Sequence, residues 1–247
     1  MPESYAIIAC DVFEEELKDM LENQPLCKRT QFLEMGLHDR PDILRSEVQA
    51  VVQKWEREEG FNTILLAYAL CGNGLVGVEA QSKTIIIPRA HDCISVFLGG
   101  PEVHSAVLKE NPGTYFYSPG WIRGRRVPGP DREAQLREEY GRRYPDDPEM
   151  VDDLIEVDEE AFSHHNCAAY VDLTDNRRAE EYCRKCAAHL GWEFKRLKGD
   201  PQILKDLVKG KWSNDRFLKV KPGQRIERSS GDDILMAVDI IQTEGKK

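Results

Sequence analysis

Short apolar runs of strand length alternate along this chain with segments whose apolar residues recur at helical spacing. Runs that are apolar on both faces and are joined through helices are typical of a parallel sheet. The alternation therefore predicts an α/β fold, Rossmann-like in architecture, with a mainly parallel sheet and helices on both faces. The predicted strands lie at residues 5–10, 32–36, 62–70, 83–88, 114–117, 168–173, 193–197 and 217–220, with a last strand or helix near 234–241.

A charged segment that contains several prolines interrupts this alternation at residues 128–160. We interpret it as a charged helical insertion or lid, because its few apolar residues cannot form a strand that is buried on both faces. A chain of 247 residues is within the size range of one large domain. The sequence therefore predicts a single α/β domain over residues 1–247 that carries this insertion.

Charge and hydropathy exclude several classes of partner. The chain has a net charge of −10, with 32% charged and 40% apolar residues. Such an acidic surface has no general attraction for nucleic acid. No apolar run approaches the roughly 20 residues that a membrane span needs, and the N-terminus lacks the pattern of a signal peptide. We therefore expect a cytoplasmic protein that binds neither nucleic acid nor membrane.

Cysteine is the residue type that carries most of the functional information. An odd number of cysteines in a chain of this size, without an export signal, does not indicate a disulfide framework. We therefore expect reduced thiols, metal ligands or core residues. The seven cysteines stand at positions 10, 27, 71, 93, 167, 183 and 186.

Three of these cysteines directly follow predicted strands. Cys10 is the last residue of the strand at 5–10, and Cys71 directly follows the strand at 62–70. The pair His91 and Cys93 follows the strand at 83–88. The carboxyl ends of parallel strands meet at one edge of a sheet, where α/β proteins bind their ligands. The sequence therefore predicts a metal site formed by Cys10, Cys71, His91 and Cys93.

Zinc is the metal that this set of ligands favours, because it binds thiolates and imidazoles in tetrahedral geometry. Three protein ligands leave one position open for a substrate, and a thiol bound to the metal loses its proton. Asp92 or Asp11 would orient the ring of His91. The alternative interpretation, that the cysteines are buried core residues, stays open.

A pocket for a substrate or cofactor is expected around the metal ligands. The segment Gly72-Asn73-Gly74 predicts a tight turn, since these residues tolerate left-handed backbone. The pocket residues that we predict are Gly72, Asn73, Gly74, Arg89, Asp92, Tyr117, Trp121 and Gln224.

Cys183 and Cys186 form a C-x-x-C pair within a predicted helix. The sequence has no second pair of this kind to complete a zinc site. Helix packing is therefore the favoured interpretation, although the sequence leaves the role of the two cysteines open.

Four motifs resemble an uncharacterised family of bacterial and archaeal proteins that is catalogued as a domain of unknown function. They are ALCGNGLVG at 69–77, IPRAHDCI at 87–94, PGTYFYSPGW at 112–121 and GWEF at 191–194. Genes of that family lie near those of corrinoid-dependent methyltransferases. The resemblance implies a role in corrinoid-dependent one-carbon metabolism, with a corrinoid protein or a corrinoid methyltransferase as partner and a corrinoid as a further cofactor. It also implies that Cys10, Cys71, His91 and Cys93 belong to the family pattern.

Three functions follow from these observations. The first is a metal-binding protein with a Cys/His site that supports methyl transfer, as a zinc-dependent methyl or alkyl transferase. Its His-x-Cys pair with a distant cysteine is similar to the ligand set of zinc methyltransferases. The second is an iron–sulfur or redox protein that supports corrinoid enzymes. The third is a non-catalytic accessory protein that binds a corrinoid or a metal, so whether the chain is an enzyme stays open.

Overall fold

A computed structural model describes residues 3–124, 127–231 and 233–240 of the chain. No helix in these ranges has both the length and the apolar character that crossing a membrane requires. The strands are β1 (Tyr5–Cys10), β2 (Cys27–Leu33), β3 (Thr63–Ala67), β4 (Glu79–Ala80), β5 (Thr84–Pro88), β6 (Thr114–Tyr117), β7 (Cys167–Asp172), β8 (Glu193–Lys198), β9 (Phe217–Val220), β10 (Gln224–Arg228) and β11 (Leu235–Asp239). The helices are α1 (Glu14–Leu21), α2 (Pro41–Glu56), α3 (Cys93–Phe97), α4 (Pro101–Glu110), α5 (Pro119–Arg123), α6 (Arg132–Arg143), α7 (Pro148–Glu160), α8 (Arg177–Leu190) and α9 (Gln202–Val208).

Contacts within the chain divide it into two compact units, where the strand and helix pattern predicts one domain. The larger unit consists of the described residues up to Pro101 and from Asp200 onward, and the smaller unit lies within Glu102–Gly199. The alternation could not reveal this division, because strands of one sheet and strands of two sheets give the same pattern along the chain.

The larger unit is built on a five-stranded sheet with the order β2-β1-β3-β5-β9. β2, β1, β3 and β5 are parallel, and β9 runs antiparallel to β5. Every residue of β1 and of β3 is buried, which agrees with the continuous apolar runs from which they were predicted. The α/β class and the mostly parallel sheet are therefore confirmed.

The position of β2 differs from the prediction. The sequence predicts a strand at 32–36, whereas β2 extends from Cys27 to Leu33. β2 is an edge strand, and Lys28, Arg29 and Thr30 are exposed, so its first half is polar. An edge strand with exposed side chains lacks the apolar run by which buried strands are recognised.

A second sheet in the larger unit was not predicted, although its strand β11 lies within the last strand or helix expected near 234–241. It is antiparallel, with the order β11-β10-β4, and β4 has only two residues. The amide of Gly77 donates to the carbonyl of Ile226, and the amide of Ile226 donates to the carbonyl of Val78, at 2.8 and 2.9 Å. This small sheet therefore fixes the far end of the loop that begins at Cys71.

The smaller unit has its own parallel sheet, with the order β6-β7-β8. Its hydrophobic core includes Tyr117, Tyr170, Cys183 and Cys186, so α8 contributes two cysteines to it. The predicted helical segment at 128–160 contains α6 and α7, which pack together through Leu136, Val151 and Ile155.

Candidate thiol site

The strand order of the larger sheet reverses at β1. From β1 the chain passes to β2 on one side, and β3 then pairs with the other side of β1. Ligands of open α/β sheets bind at the carboxyl ends of the strands beside such a reversal. Cys10 is the last residue of β1, Cys71 follows β3, and Cys93 begins the helix after β5. The sheet therefore brings these cysteines together at its preferred ligand-binding edge, as predicted from the sequence.

Three of the predicted ligands form one buried cluster of thiols. The sulfur atoms of Cys71 and Cys93 are 3.8 Å apart, and Cys10, at the end of the adjacent strand β1, is among the neighbours that raise the pKa of Cys93. Cys10 is 6% exposed, and Cys71 and Cys93 are each 9% exposed. None of the chain's cysteines, all of which are described, is in a disulfide. We refer to Cys10, Cys71 and Cys93 as the thiol cluster.

The thiol cluster is electrostatically coupled. The hydrogen bond from the Cys93 thiol lowers the pKa of Cys71, because it stabilises the thiolate form. The pKa of Cys93 is raised well above its ordinary value, through its hydrogen bonds with Cys10 and Cys71 and then through burial. Of Cys71 and Cys93, Cys71 therefore loses its proton first, and Cys93 is the thiol that donates.

The backbone that carries Cys71 is strained. Cys71, Gly72 and Asn73 have φ angles of 47°, 63° and 71°, so three successive residues are in the left-handed region. Left-handed backbone costs about 1–2 kcal/mol for a residue with a Cβ atom, and asparagine and glycine tolerate it best. The tight turn predicted for 72–74 is confirmed, and the strained backbone includes Cys71, a residue of the thiol cluster. Strained backbone of this kind is found mostly at functional sites.

Backbone hydrogen bonds hold the two cysteine segments against each other. The amide of Leu70 donates to the carbonyl of Ala90 at 2.9 Å, and the amide of Cys71 donates to the carbonyl of His91 at 3.0 Å. The parallel pairing of β3 with β5 thus continues past the ends of both strands. This extension fixes the distance between Cys71 and Cys93.

His91 differs from the other predicted metal ligands, because its side chain is exposed while the three thiols are buried. In the described ranges, no group of three or more His, Cys, Asp or Glu side chains already has the arrangement of a metal site. The thiol cluster is thus a set of hydrogen-bonded thiols, and any metal bound there would have to displace their protons.

Asp92 and Arg89 have structural contacts. One carboxylate oxygen of Asp92 accepts hydrogen bonds from the amide and hydroxyl of Ser95, at 2.7 and 2.8 Å, and so caps α3. The guanidinium of Arg89 donates to the carbonyls of Asn214, Asp233 and Leu235. Arg89 therefore joins β11 to the segment before β9.

The remaining predicted pocket residues have other partners. The side-chain oxygen of Gln224 accepts a hydrogen bond from the amide of Lys221, and its side-chain nitrogen donates one to the carboxylate of Asp239. Both bonds are 3.0 Å long, and Gln224 and Asp239 belong to the small antiparallel sheet. Tyr117 and Trp121 belong to the smaller unit, where Tyr117 is fully buried in the core. Tyr117 ends β6, which pairs in a different sheet, and Trp121 lies in α5 just after it, so the argument from a shared sheet edge does not extend to them.

Tyr68 is a residue of the site that the sequence analysis did not identify. It follows β3 directly and is 2% exposed. Burial is the main cause that raises the pKa of its phenol, and Cys10, Cys93 and Cys71 raise it further. The only signal in the sequence was a hydroxyl within the apolar run 62–70, which we had interpreted wholly as strand.

Cys183 and Cys186 pack inside the smaller unit. Both are fully buried on α8, and Tyr117 and Tyr182 pack in the same hydrophobic cluster. A Cβ atom added to Gly129 would lie 2.5 Å from the Cys186 sulfur, so the sulfur fills its space completely. These contacts agree with the packing interpretation of the C-x-x-C pair.

Comparison with known proteins yields one match. A family model described as a protein of unknown function, DUF1638, matches residues 32–208. That range includes Cys71, His91 and Cys93, whereas Cys10 precedes it. No curated protein and no solved structure matches the chain.

Proposed function

The chain belongs to the DUF1638 family of proteins of unknown function, and we propose that its thiol cluster binds a zinc ion that activates a substrate for methyl or alkyl transfer. Cys10, Cys71 and Cys93 are the metal ligands in this proposal. The fourth coordination position is open to the substrate or is occupied by His91.

The separation of the Cys71 and Cys93 sulfur atoms is the observation that carries the proposal. Two thiolates at about 2.3 Å from a tetrahedral zinc ion lie about 3.8 Å from each other. The two sulfur atoms are 3.8 Å apart. Cys10 ends the neighbouring strand β1 and would supply the third thiolate in this proposal.

Protons must leave the cluster when a metal ion binds. Cys71 already has a lowered pKa and Cys93 has a raised one, so the Cys93 proton is the harder one to displace. Metal affinity therefore rises with pH, and binding releases protons. A zinc ion held by Cys10, Cys71 and Cys93 would supply positive charge that lowers the pKa of a substrate thiol.

In the proposed reaction a methyl group moves from a donor to the sulfur of the substrate thiol. The substrate thiol loses its proton on binding, and its sulfur forms a bond to the methyl carbon of the donor. The bond between that carbon and the donor breaks, and its electron pair stays on the donor. We propose a corrinoid as the methyl donor. The proposal also includes a cytoplasmic location and a Rossmann-like arrangement, with helices on both faces of the sheet.

The first test is metal analysis, with a visible spectrum, of protein purified without oxygen. We expect about one zinc per chain in the wild type, with loss of zinc in Cys93→Ser because a ligand is removed. Cys27→Ser is the matched control, since Cys27 is a partly exposed cysteine of the same unit outside the cluster, and it should retain zinc. His91→Ala then decides whether the imidazole is the fourth ligand.

Two results would reject zinc. Absence of metal from the wild type after incubation with zinc would remove the coordination proposal. Iron with sulfide-to-iron absorption would instead indicate the iron–sulfur alternative.

A thiol–disulfide function is the second candidate, favoured by the proximity and the opposite pKa shifts of Cys71 and Cys93. The Cys71 thiolate would attack a substrate disulfide and release one thiol. Cys93 would then resolve the mixed disulfide and release the second thiol, leaving the protein oxidised and the substrate reduced. A thiol count before and after incubation with an oxidised dithiol distinguishes this function, because it falls by two only if the protein disulfide forms.

A further inference from the structure

The thiol cluster is buried so deeply that only a small molecule can reach its sulfur atoms. Cys10 is 6% exposed, and Cys71 and Cys93 are each 9% exposed. Thiol–disulfide exchange depends on access of the substrate disulfide to the attacking sulfur, and a disulfide carries a substituent on each of its sulfur atoms. Burial therefore disfavours bulky disulfides and favours an electrophile of a few atoms. Hydrogen peroxide is only slightly larger than a water molecule.

The hydroxyl group of Tyr68 is a polar group at this site that has no use in the fold. Tyr68 is 2% exposed, and its hydroxyl has no hydrogen-bond partner in the described part of the chain. The last residue pair between β1 and β3 is Ala9 with Ala67, so Cys10 and Tyr68 come next along these two neighbouring strands. Buried hydroxyl groups nearly always have a partner, because an unsatisfied one loses its hydrogen bonds to water and gains nothing. The Tyr68 hydroxyl therefore indicates a small polar ligand at this edge of the sheet.

We propose that the thiol cluster reduces a small hydroperoxide, such as hydrogen peroxide, and that Tyr68 donates a hydrogen bond to a peroxide oxygen. This inference rests on the thiol–disulfide function, the second candidate above, and names a substrate class that is small enough for the site. It requires no metal ion, because the reacting thiols are the two whose sulfur atoms are already in contact, Cys71 and Cys93. A phenol is protonated at neutral pH, so Tyr68 offers one O–H donor.

The reaction has two steps, which together oxidise two thiols and reduce one peroxide. The Cys71 sulfur, as a thiolate, forms a bond to one peroxide oxygen, and the O–O bond breaks. The second oxygen leaves with the electron pair and takes up a proton to form water, while Cys71 becomes a sulfenic acid. The Cys93 sulfur then forms a bond to the Cys71 sulfur, the sulfur–oxygen bond breaks, and the hydroxyl group leaves as water with the Cys93 proton.

Tyr68 acts in the first of these steps. Negative charge develops on the leaving oxygen as the O–O bond breaks, and a donor that is already in place stabilises that charge at no cost in reorganisation. Hydrogen bonds to ionised acceptors are roughly twice as strong as those between neutral groups. The phenol therefore stabilises the transition state more than it stabilises the bound peroxide.

Cys27 is the matched control for the reactivity of the pair. It lies in the same unit and is only partly buried, and its sulfur contacts the carbonyl of Arg29 and the hydroxyl of Thr30. If exposure decided which thiol is oxidised, Cys27 would react first. The proposal predicts the reverse order, because the second thiol that completes the reaction stands beside Cys71.

The test is treatment of reduced, metal-free protein with one equivalent of hydrogen peroxide, followed by peptide mapping. We expect a disulfide between Cys71 and Cys93, a loss of two thiols for each peroxide consumed, and an intact Cys27 thiol. Cys93→Ser removes the second thiol, so dimedone, a reagent for sulfenic acids, should label Cys71 in that variant.

Substitution of two tyrosines by phenylalanine tests the hydroxyl group. Tyr68→Phe should slow the reaction with peroxide by about 10-fold or more, because a hydrogen bond to a charged oxygen is lost from the transition state. Tyr5→Phe should keep the wild-type rate, since the Tyr5 hydroxyl already donates a hydrogen bond of 2.8 Å to the carbonyl of Val208. If Tyr68 acted only through the stability of the sheet, Tyr5→Phe would slow the reaction as well.

The outcomes separate this inference from the functions proposed above. A disulfide that forms with an oxidised dithiol but not with hydrogen peroxide would overturn the inference and leave the thiol–disulfide function intact. Failure of both oxidants would overturn the inference and the thiol–disulfide function together, while zinc binding has its own test. Oxidation of Cys27 before Cys71 and Cys93 would overturn the inference alone. Equal peroxide rates in the wild type and Tyr68→Phe would overturn the role of Tyr68.

Discussion

Each compact unit of this chain buries a group of cysteines, and the two groups differ in the backbone that carries them. The thiol cluster of the larger unit combines residues from three segments that follow three adjacent strands. In the smaller unit, Cys183 and Cys186 lie three residues apart on one regular helix. The first arrangement depends on the tertiary fold, whereas the second follows from local spacing along the helix.

The two groups of cysteines also differ in their hydrogen-bond partners and in the pKa values of their thiols. In the thiol cluster the hydrogen bonds run between sulfur atoms, the pKa of Cys71 is lowered, and the turn behind it is strained. On α8, burial raises the pKa of both cysteines, and the contacts of Cys186 are with tyrosines. The comparison shows that burial raises the pKa of Cys186, whereas the neighbouring thiol of Cys93 lowers the pKa of Cys71.

Metal affinity should separate the two groups most strongly. Cys93→Ala should weaken zinc binding by more than the roughly 100-fold that loss of a supporting group costs, because a ligand itself is removed. Cys183→Ala should leave zinc affinity unchanged. Competition with a colorimetric chelator measures both values. Equal losses in the two variants would show that the comparison between the groups is wrong.

Tight packing around Cys186 gives the next largest effect. Gly129→Ala places a Cβ atom 2.5 Å from the buried Cys186 sulfur, so one of the two must shift, and we expect a loss of about 1–3 kcal/mol in the free energy of unfolding. Urea denaturation measures the loss. Gly141→Ala, within α6 with no atom near its added Cβ, should instead stabilise by about 0.5–1 kcal/mol. If both variants lost stability, the cause would be the replacement of glycine by alanine and not the clash with the Cys186 sulfur.

Alkaline pH should destabilise the core of the smaller unit. Burial raises the pKa of Cys186 from 9.0 to about 11. The folded state therefore favours the neutral thiol, and this stability is complete below pH 9 and is lost as the pH rises through 11. The loss amounts to about 2 kcal/mol at pH 11 from this residue. Cys186→Ala should flatten the dependence of unfolding free energy on pH between 9 and 11, and an unchanged slope would contradict the assignment.

Strain in the turn at Cys71 gives the smallest effect. Asn73→Ala should lower the free energy of unfolding by about 1 kcal/mol, because alanine tolerates a φ of 71° less well than asparagine does. Asn73→Gly, which accepts this backbone, should preserve stability and zinc content. Chemical denaturation of the two variants makes the comparison. A neutral Asn73→Ala would mean that the turn relaxes and that its strain plays no part in positioning Cys71.

The sequence predicted the buried strands well and the exposed ones poorly. β1, β3 and β5 were identified because they are buried on both faces and form continuous apolar runs. β2 was displaced along the chain, and β4 and β10 were missed. β2 has a polar exposed half, and the other two strands belong to a short sheet with few buried residues. Hydrophobic periodicity reports burial, so it cannot reveal a strand that buries little.

The candidate site was predictable to the extent that it depends on strand ends. The position of Cys10, Cys71 and Cys93 after parallel strands was enough to bring them together at one edge. Tyr117, Trp121, Arg89 and Gln224 were assigned to the pocket from the same kind of proximity, and their observed contacts lie elsewhere. Adjacency to a strand end does not indicate which sheet the strand joins or which way a side chain points.

The sequence by itself determined the α/β class, the buried strands and the tight turn at 72–74, because these follow from periodicities and residue types that act locally. Only the tertiary structure decided that the chain forms two units, and that the thiols of Cys71 and Cys93 stand 3.8 Å apart. The buried hydroxyl of Tyr68 also became visible only there. Distances, partners and unsatisfied groups arise from contacts between residues far apart in the chain, and no local pattern encodes them.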